Sequence, residues 1–188
     1  MSISPTARIC FQSEELGPVA SLEIATPKPA PLVNRETVDE YSPLRKVCAL
    51  LNRQSAKYLI VGAQACILHG HVRNTNDVDI LIPEDLENHA RVIAALSELE
   101  DHAAAELTPQ DFVENVVVKI ADEVEVDVST HAWKIGYADA IGTALTATIQ
   151  GVEVPYLDLK TLIESKRTHR DQDQVDVQRL LQLLNRKK

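Results

Sequence analysis

Asp77 and Asp79 stand two apart at the head of an alternating run, Asp77-Val78-Asp79-Ile80-Leu81-Ile82. In an extended strand, residues i and i+2 share a face. Both carboxylates therefore project to one side, while Val78, Ile80 and Ile82 line the other. Paired carboxylates supply hard oxygen ligands for Mg²⁺ or Mn²⁺ without a full protein cage. Alone, such a pair is weak evidence and is more often a solvated strand face. Two further features favour chemistry. Gly62 ends the apolar run Tyr58–Val61, and a glycine turn before a helix lets the backbone of Gly62 and Ala63 approach a phosphate. A third carboxylate, Asp127, emerges from a second alternating run, 123–129, in which Val124, Val126 and Val128 face one way. Glu125 shares the face of Asp127 and is its rival for the role. Three acids beside a phosphate-cradling turn suit two-metal phosphoryl chemistry, with ions ~3.5–4 Å apart. One ion would lower the pKa of an attacking hydroxyl and the other would hold a triphosphate and its leaving pyrophosphate. The acids are then ligands, and a general base is not identified.

Other candidates have two readings each. Arg73 and Thr75, in the polar turn before Asp77, are placed to meet a nucleotide, and Arg73 can equally order its loop by pairing with an aspartate. His69 sits at a helix end, where an imidazole bonds free carbonyls. Lys166 contacts phosphates or lines a solvated helix. Asp173 and Asp176 cap and pair locally, for instance with Arg170. Trp133 and Tyr137 could stack a base, though packing in the core or at its rim is the better reading.

The elements that position these residues follow from periodicity. Leu44, Val47, Cys48, Leu50 and Leu51 fall on one side of a helix opening at Ser42-Pro43. Lys57–Val61 reads as a buried strand. Ala63–Leu68 reads as a short helix closed by Gly70, and Asp77–Ile82 as a strand ended by Pro83. An amphipathic helix to about Leu99 is expected to bury Leu86, Ala90, Ile93, Ala94 and Leu96. Glu100 to Asp111 reads as loop. Val116–Ile120 and Val124–Val128 form one hairpin; Ala147–Ile149 and Val152–Pro155 form another around Gln150-Gly151. Two helices close the chain, Leu157–Arg167 with Asp158 as cap and Gln172–Leu184. The expected fold class is α/β: a mixed, twisted sheet with helices on one face, carboxylates on the other, and the last helices beside the cleft.

Composition sets the outer bounds. The 188 residues are 45% hydrophobic and 4% aromatic, enough for an aliphatic core, with a net charge of −9 that disfavours indiscriminate nucleic-acid binding. That charge is uneven: residues 156–188 hold eight Lys/Arg against five Asp/Glu, and residues 1–155 eleven against twenty-three. Six of the nine prolines fall in residues 1–43, which read as a proline-rich arm ahead of a domain spanning 44–188. Within the arm, Thr26–Pro31 is a stiff connector, and Ile9–Phe11 and Ser21–Ala25 are short edge strands. Cys10, Cys48 and Cys66 lack metal-ligand or CxxC spacing and read as reduced thiols. No leader-like apolar segment opens the chain and no apolar run approaches the ~18 residues of a membrane span. The expectation is a cytoplasmic protein without membrane partners.

The run Val61-Gly62-Ala63-Gln64-Ala65, His69-Gly70 and Arg73-Asn74-Thr75-Asn76-Asp77-Val78-Asp79 resembles the polymerase-β-type nucleotidyltransferase superfamily. It is most similar to small AbiEii/MNT-like members, whose pattern is a glycine turn, HG, R-x-T-x-D-x-D and a late basic–acidic helix. Aminoglycoside and lincosamide nucleotidyltransferases look like more distant relatives. The resemblance covers about residues 44–184 and is most specific at 60–82. It implies a nucleotidyltransferase fold and an enzyme that moves an NMP from an NTP to a hydroxyl with release of pyrophosphate, using Mg²⁺ or Mn²⁺. It places metal on Asp77, Asp79 and Asp127, and nucleotide on Gly62, Ala63, Arg73, Thr75, Lys166 and Arg170. Asp173 and Asp176 match the acids of the late helix. The acceptor it allows is a tRNA, a protein or a small molecule. It further implies a toxin-type member with a cognate antitoxin, or, alternatively, a catalytically weak nucleotide-sensing or partner-binding module. Two departures stand out: Ala63 replaces the usual glycine or serine, and Gln172 replaces a common lysine.

Overall fold

The computed structural model describes residues 9–12, 28–29 and 42–186. A mixed sheet carries the molecule. Its strands run β1 (Ile9–Gln12), β5 (Val117–Ala121), β6 (Glu125–Ser129), β4 (Asp77–Leu81), β3 (Leu59–Ile60), β10 (Val152–Tyr156), β9 (Leu145–Ile149) and β2 (Lys28–Pro29). The β4–β6, β3–β10 and β2–β9 pairs are parallel; the others are antiparallel. Of the proline-rich arm, Ile9–Gln12 and Lys28–Pro29 occupy the two sheet edges, where a proline removes no interior ladder bond. The expected strand at 21–25 and most of the 26–31 connector lie outside the described residues.

Strict alternation decides which face is core. Val78, Ile80, Val118, Ile120, Val126 and Val128 are at most 1% exposed. Helix α1 (Ser42–Arg53) packs on β4 and β10 and buries Leu44, Val47, Cys48, Leu50 and Leu51 as its spacing requires. Each such aliphatic side chain contributes ~1.5–3 kcal/mol when fully buried.

Helix α2 (Gly62–Leu68) ends as Gly70 dictates. Gly70 takes φ +92°, its N–H donates to Ile67 O and His71 N–H donates to Cys66 O. These are the two bonds of a Schellman cap. The turn between β9 and β10 has φ +47° at Gln150 and +82° at Gly151, the pattern of a tight type I′ hairpin loop.

Helix α3 (Leu86–Leu96) departs from expectation. Asp85 caps it by accepting from Glu87 N–H, and its buried residues are Asn88, His89, Val92, Ala95 and Leu96. Leu86 is 54% exposed, Ala90 and Ala94 are exposed, and Ile93 is only partly buried. The inward stripe is turned because two polar residues occupy it with their bonds made. Asn88 accepts from Lys57 N–H (2.6 Å) and donates to Lys57 O (2.9 Å). His89 lies 3.0 Å from the carbonyls of both Pro83 and Pro109. Buried polar groups satisfied in this way are tolerated in a core.

The expected 100–111 loop contains a 3₁₀ turn, Ala103–Glu106, and is followed by α4 (Asp111–Glu114). After β6 come the ribbon β7 (His131–Ala132) and β8 (Ile135–Gly136), then α5 (Tyr137–Ile141). Helices α6 (Leu159–Ser165) and α7 (Asp171–Arg186) close the chain and pack on one another. Asp158 caps α6, accepting from the N–H of Lys160 and Thr161. Among the described residues no helix is long and apolar enough to cross a membrane.

Candidate active site

Parallel pairing of β4 with β6 sets Asp79 beside Asp127 and Asp77 beside Glu125. The two strands alternate in step, so all these acids leave the sheet on the face opposite the valine core. One carboxylate oxygen from each of Asp77, Asp79 and Asp127 lies within 4.8 Å of the others. Glu125 is exposed and stands outside that group, so Asp127 is the third acid. The donor set is all hard oxygen, which fits Mg²⁺ or Mn²⁺ and suits soft metals poorly.

Gly62 is fixed by two demands at once. Its φ is +57°, and a Cβ placed on it would lie 1.9 Å from Asp79 Oδ2. The carboxylate therefore packs directly on the glycine backbone. The Ala63 N–H hydrogen-bonds that same carboxylate. The Asp79 carboxyl, ordinarily near 3.8, is pushed up to about 6, by burial first and then by the like charges of Asp77 and Asp127. The Thr75 hydroxyl donates to Asp77 Oδ1 and orients that carboxylate.

Lys119 is a member that sequence reasoning missed. It lies opposite Asp127 in the β5–β6 register, and its Nζ donates to Asp127 Oδ2 at 2.5 Å. The Asp127 bond, working against partial burial, holds the ammonium above its usual range. The available signal was the hairpin itself: folding 117–121 onto 125–129 puts Lys119 across from Asp127.

The remaining cations come from the helical end. The nine residues on which the resemblance places metal or nucleotide line one cleft of about 170 Å³: Gly62, Ala63, Arg73, Thr75, Asp77, Asp79, Asp127, Lys166 and Arg170, joined by Lys119, Gln172 and Asp173. Their environments differ. Lys166 is 7% exposed and Asp176 fully buried, with Lys166 Nζ 2.8 Å from Asp176 Oδ2 and 3.1 Å from Asp173 Oδ1. Arg73 Nη1 donates to Asp176 Oδ2 at 2.6 Å, and His71 Nε2 lies 3.2 Å from Asp176 Oδ1. Burial opposes ionisation of Asp176, but Lys166, Arg73 and His71 outweigh it and hold the carboxyl below its usual range. Burial also opposes the Lys166 charge, and the carboxylates of Asp176 and Asp173 hold it above the ordinary lysine value. Arg170 differs: it is exposed, and its guanidinium makes no ion pair among the described residues.

His69 is buried and bonds the Leu157 carbonyl at 2.8 Å, with its ring edge-on to Tyr156. That is a fixed structural contact between α2 and the sheet end. Tyr137 is partly buried against the core, whereas Trp133 is 47% exposed.

No protein-family model matches the sequence, and no curated protein does. Among solved structures the chain is similar to a candidate nucleotidyltransferase from Thermotoga maritima, at 13% identity and a TM-score of 0.46, over 80% of this chain and 94% of that one. It is also similar to the antibiotic-resistance factor ANT(2″)-Ia, at 16% identity and a TM-score of 0.49, over 76% of this chain and 82% of that one.

Proposed function

We propose that the protein is a metal-dependent nucleotidyltransferase, moving an NMP from an NTP to a hydroxyl acceptor with release of pyrophosphate. The observation that carries this reading is the convergence of Asp77, Asp79 and Asp127 within 4.8 Å, in a cleft that also holds basic side chains. These three acids would hold Mg²⁺ or Mn²⁺, which when bound would activate an acceptor hydroxyl and neutralise phosphate charge. The chain's own groups have separable duties. Asp79 is held by Gly62 and Ala63, Asp77 by Thr75, and Asp127 by Lys119, so the ligands are pre-oriented on rigid strands. Arg170 is the cation placed to meet a phosphate, because Arg73 and Lys166 are committed to Asp176. Arg73 and Lys166 then act as the frame that fixes the cleft's helical wall.

The test is a pyrophosphate-release assay with Mg²⁺, each NTP and candidate acceptors from the three classes, tRNA, protein and small molecule. Asp77→Asn or Asp79→Asn should abolish release with Tm close to wild type. Unchanged turnover in either variant removes the proposal. A second reading is a nucleotide-sensing or partner-binding module of the same fold. It draws on the Ala63 N–H bonding Asp79 and on three cleft cations, Arg73, Lys119 and Lys166, that are already paired. Calorimetric binding of Mg²⁺ and NTP without pyrophosphate release from any acceptor would favour it. For a toxin-type member, expression should arrest growth and a neighbouring gene's product, the antitoxin, should relieve it.

A further inference from the structure

The β7–β8 ribbon leaves β6 directly after the strand that carries Asp127, and its two-residue loop is Trp133-Lys134. Trp133 has φ +58°, and Lys134 is not among the residues with positive φ. A positive φ at the first loop position alone is the type II′ hairpin pattern, in which that position belongs to glycine. A tryptophan there is strained, yet the ring it displays is 47% exposed. Packing therefore does not account for a bulky aromatic at a glycine position. The ring meets His169 at 87° with centroids 6.3 Å apart, and Lys134 Nζ lies 5.9 Å from its centroid. His169 is itself exposed and directly precedes Arg170, which lines the acid cleft. Two nearly perpendicular rings thus meet one residue along the chain from Arg170, with Lys134 beside them.

We propose that Trp133 and His169 form a stacking corner for the planar ring of a nucleotide entering the acid cleft, with Lys134 and Arg170 meeting its phosphates. This rests on the nucleotidyltransferase reading and adds where the base lies. Stacking on an aromatic face, with cations tracking the backbone, is how single nucleotides and single strands are held without sequence readout. The ring comes either from the incoming NTP or from the terminal nucleotide of an acceptor strand, and the same chemistry serves both.

Trp133 is the only tryptophan in the chain, so its emission reports on this corner alone. The full chain is titrated with each NTP plus Mg²⁺, with inorganic tripolyphosphate plus Mg²⁺, and with a short single-stranded RNA ending in a free 3′ hydroxyl. Saturable quenching by NTP or by RNA, and none by tripolyphosphate, is expected; the ligand that quenches names the source of the ring. Equal quenching by tripolyphosphate, or quenching by no ligand, overturns the proposal. Trp133→Gly restores the residue the turn prefers, so Tm should hold or rise while calorimetric affinity for the quenching ligand falls about tenfold. Unchanged affinity overturns the proposal, whether or not Tm falls. Pyrophosphate release is measured on the same wild-type preparation. Release without quenching sinks the stacking corner alone; quenching without release sinks the transfer reading alone.

Discussion

At the scale of single residues, Gly62 and Asp79 are one device. The glycine's left-handed backbone and missing Cβ make the seat in which the carboxylate lies. Gly62→Ala would set a methyl carbon 1.9 Å from Asp79 Oδ2 while adding at least ~1–2 kcal/mol of backbone strain. The expected result is a lower Tm and a loss of Mg²⁺ affinity of an order of magnitude or more, read by calorimetry. A variant that kept wild-type affinity would show that the seat is not needed. The same carboxyl carries a pH signature. Its folded pKa of about 6 lies above the ordinary 3.8, so between those values the folded chain keeps a proton that the unfolded chain has released. Without metal, this group's contribution to stability is full below about 3.8 and is lost as pH rises through 6. A divalent cation competes for the same oxygens. Mg²⁺ should therefore raise Tm at pH 7.5, by an increment that shrinks as pH is lowered through 6; an increment constant from pH 5 to 8 would count against Asp79 as a ligand.

At the scale of elements, the strands and their caps were legible and the polar clamps were not. The alternation of 77–82 and 123–129 fixed both the core face and the acid face, because a buried strand face tolerates no slip in register. Gly70 and Asp158 announced their helix ends by residue type. Helix α3 escaped because hydropathy scores Asn88 and His89 as outward, whereas backbone carbonyls and an amide of other segments draw them in. Lys119 escaped because a single lysine in a strand carries no signal until the strand opposite it is known. The frame around Asp176 gave only a hint: Arg73 was open to pairing with an aspartate, but its partner lies 103 residues away. Two predictions belong here. Asp158→Ala removes acceptors for the Lys160 and Thr161 N–H groups and should cost about 1–2 kcal/mol in urea unfolding. Asp176→Ala leaves Lys166 buried with one carboxylate in place of two and Arg73 with none, and should cost ~3–5 kcal/mol. A loss under 1 kcal/mol would mean that the network contributes little to stability.

At the scale of the whole molecule, the cleft is a seam between two walls that differ in kind. The sheet wall brings Asp77, Asp79, Lys119 and Asp127 on adjacent strands, with Gly62 at the start of α2 beside them, and its strands are tied by the ladder from β5 to β3. The helical wall brings Lys166, Arg170 and Asp173 from the α6–α7 junction, joined to the sheet side through Arg73 and His71. A metal alone engages only carboxylates of the sheet wall. On the proposed reading, a nucleotide with its metal would also engage Arg170 opposite, adding a second tie between the walls to the one that Arg73 and His71 already make. Hydrogen exchange can see that difference, because binding energy spent at a junction slows its local opening. With Mg²⁺ alone, amide protection should rise over 62–65, 77–81 and 125–129. With Mg²⁺ and a non-hydrolysable NTP, protection should extend to 166–176. If the nucleotide protects nothing beyond the strands, the helical wall is scaffold only and Arg170 is not a phosphate ligand.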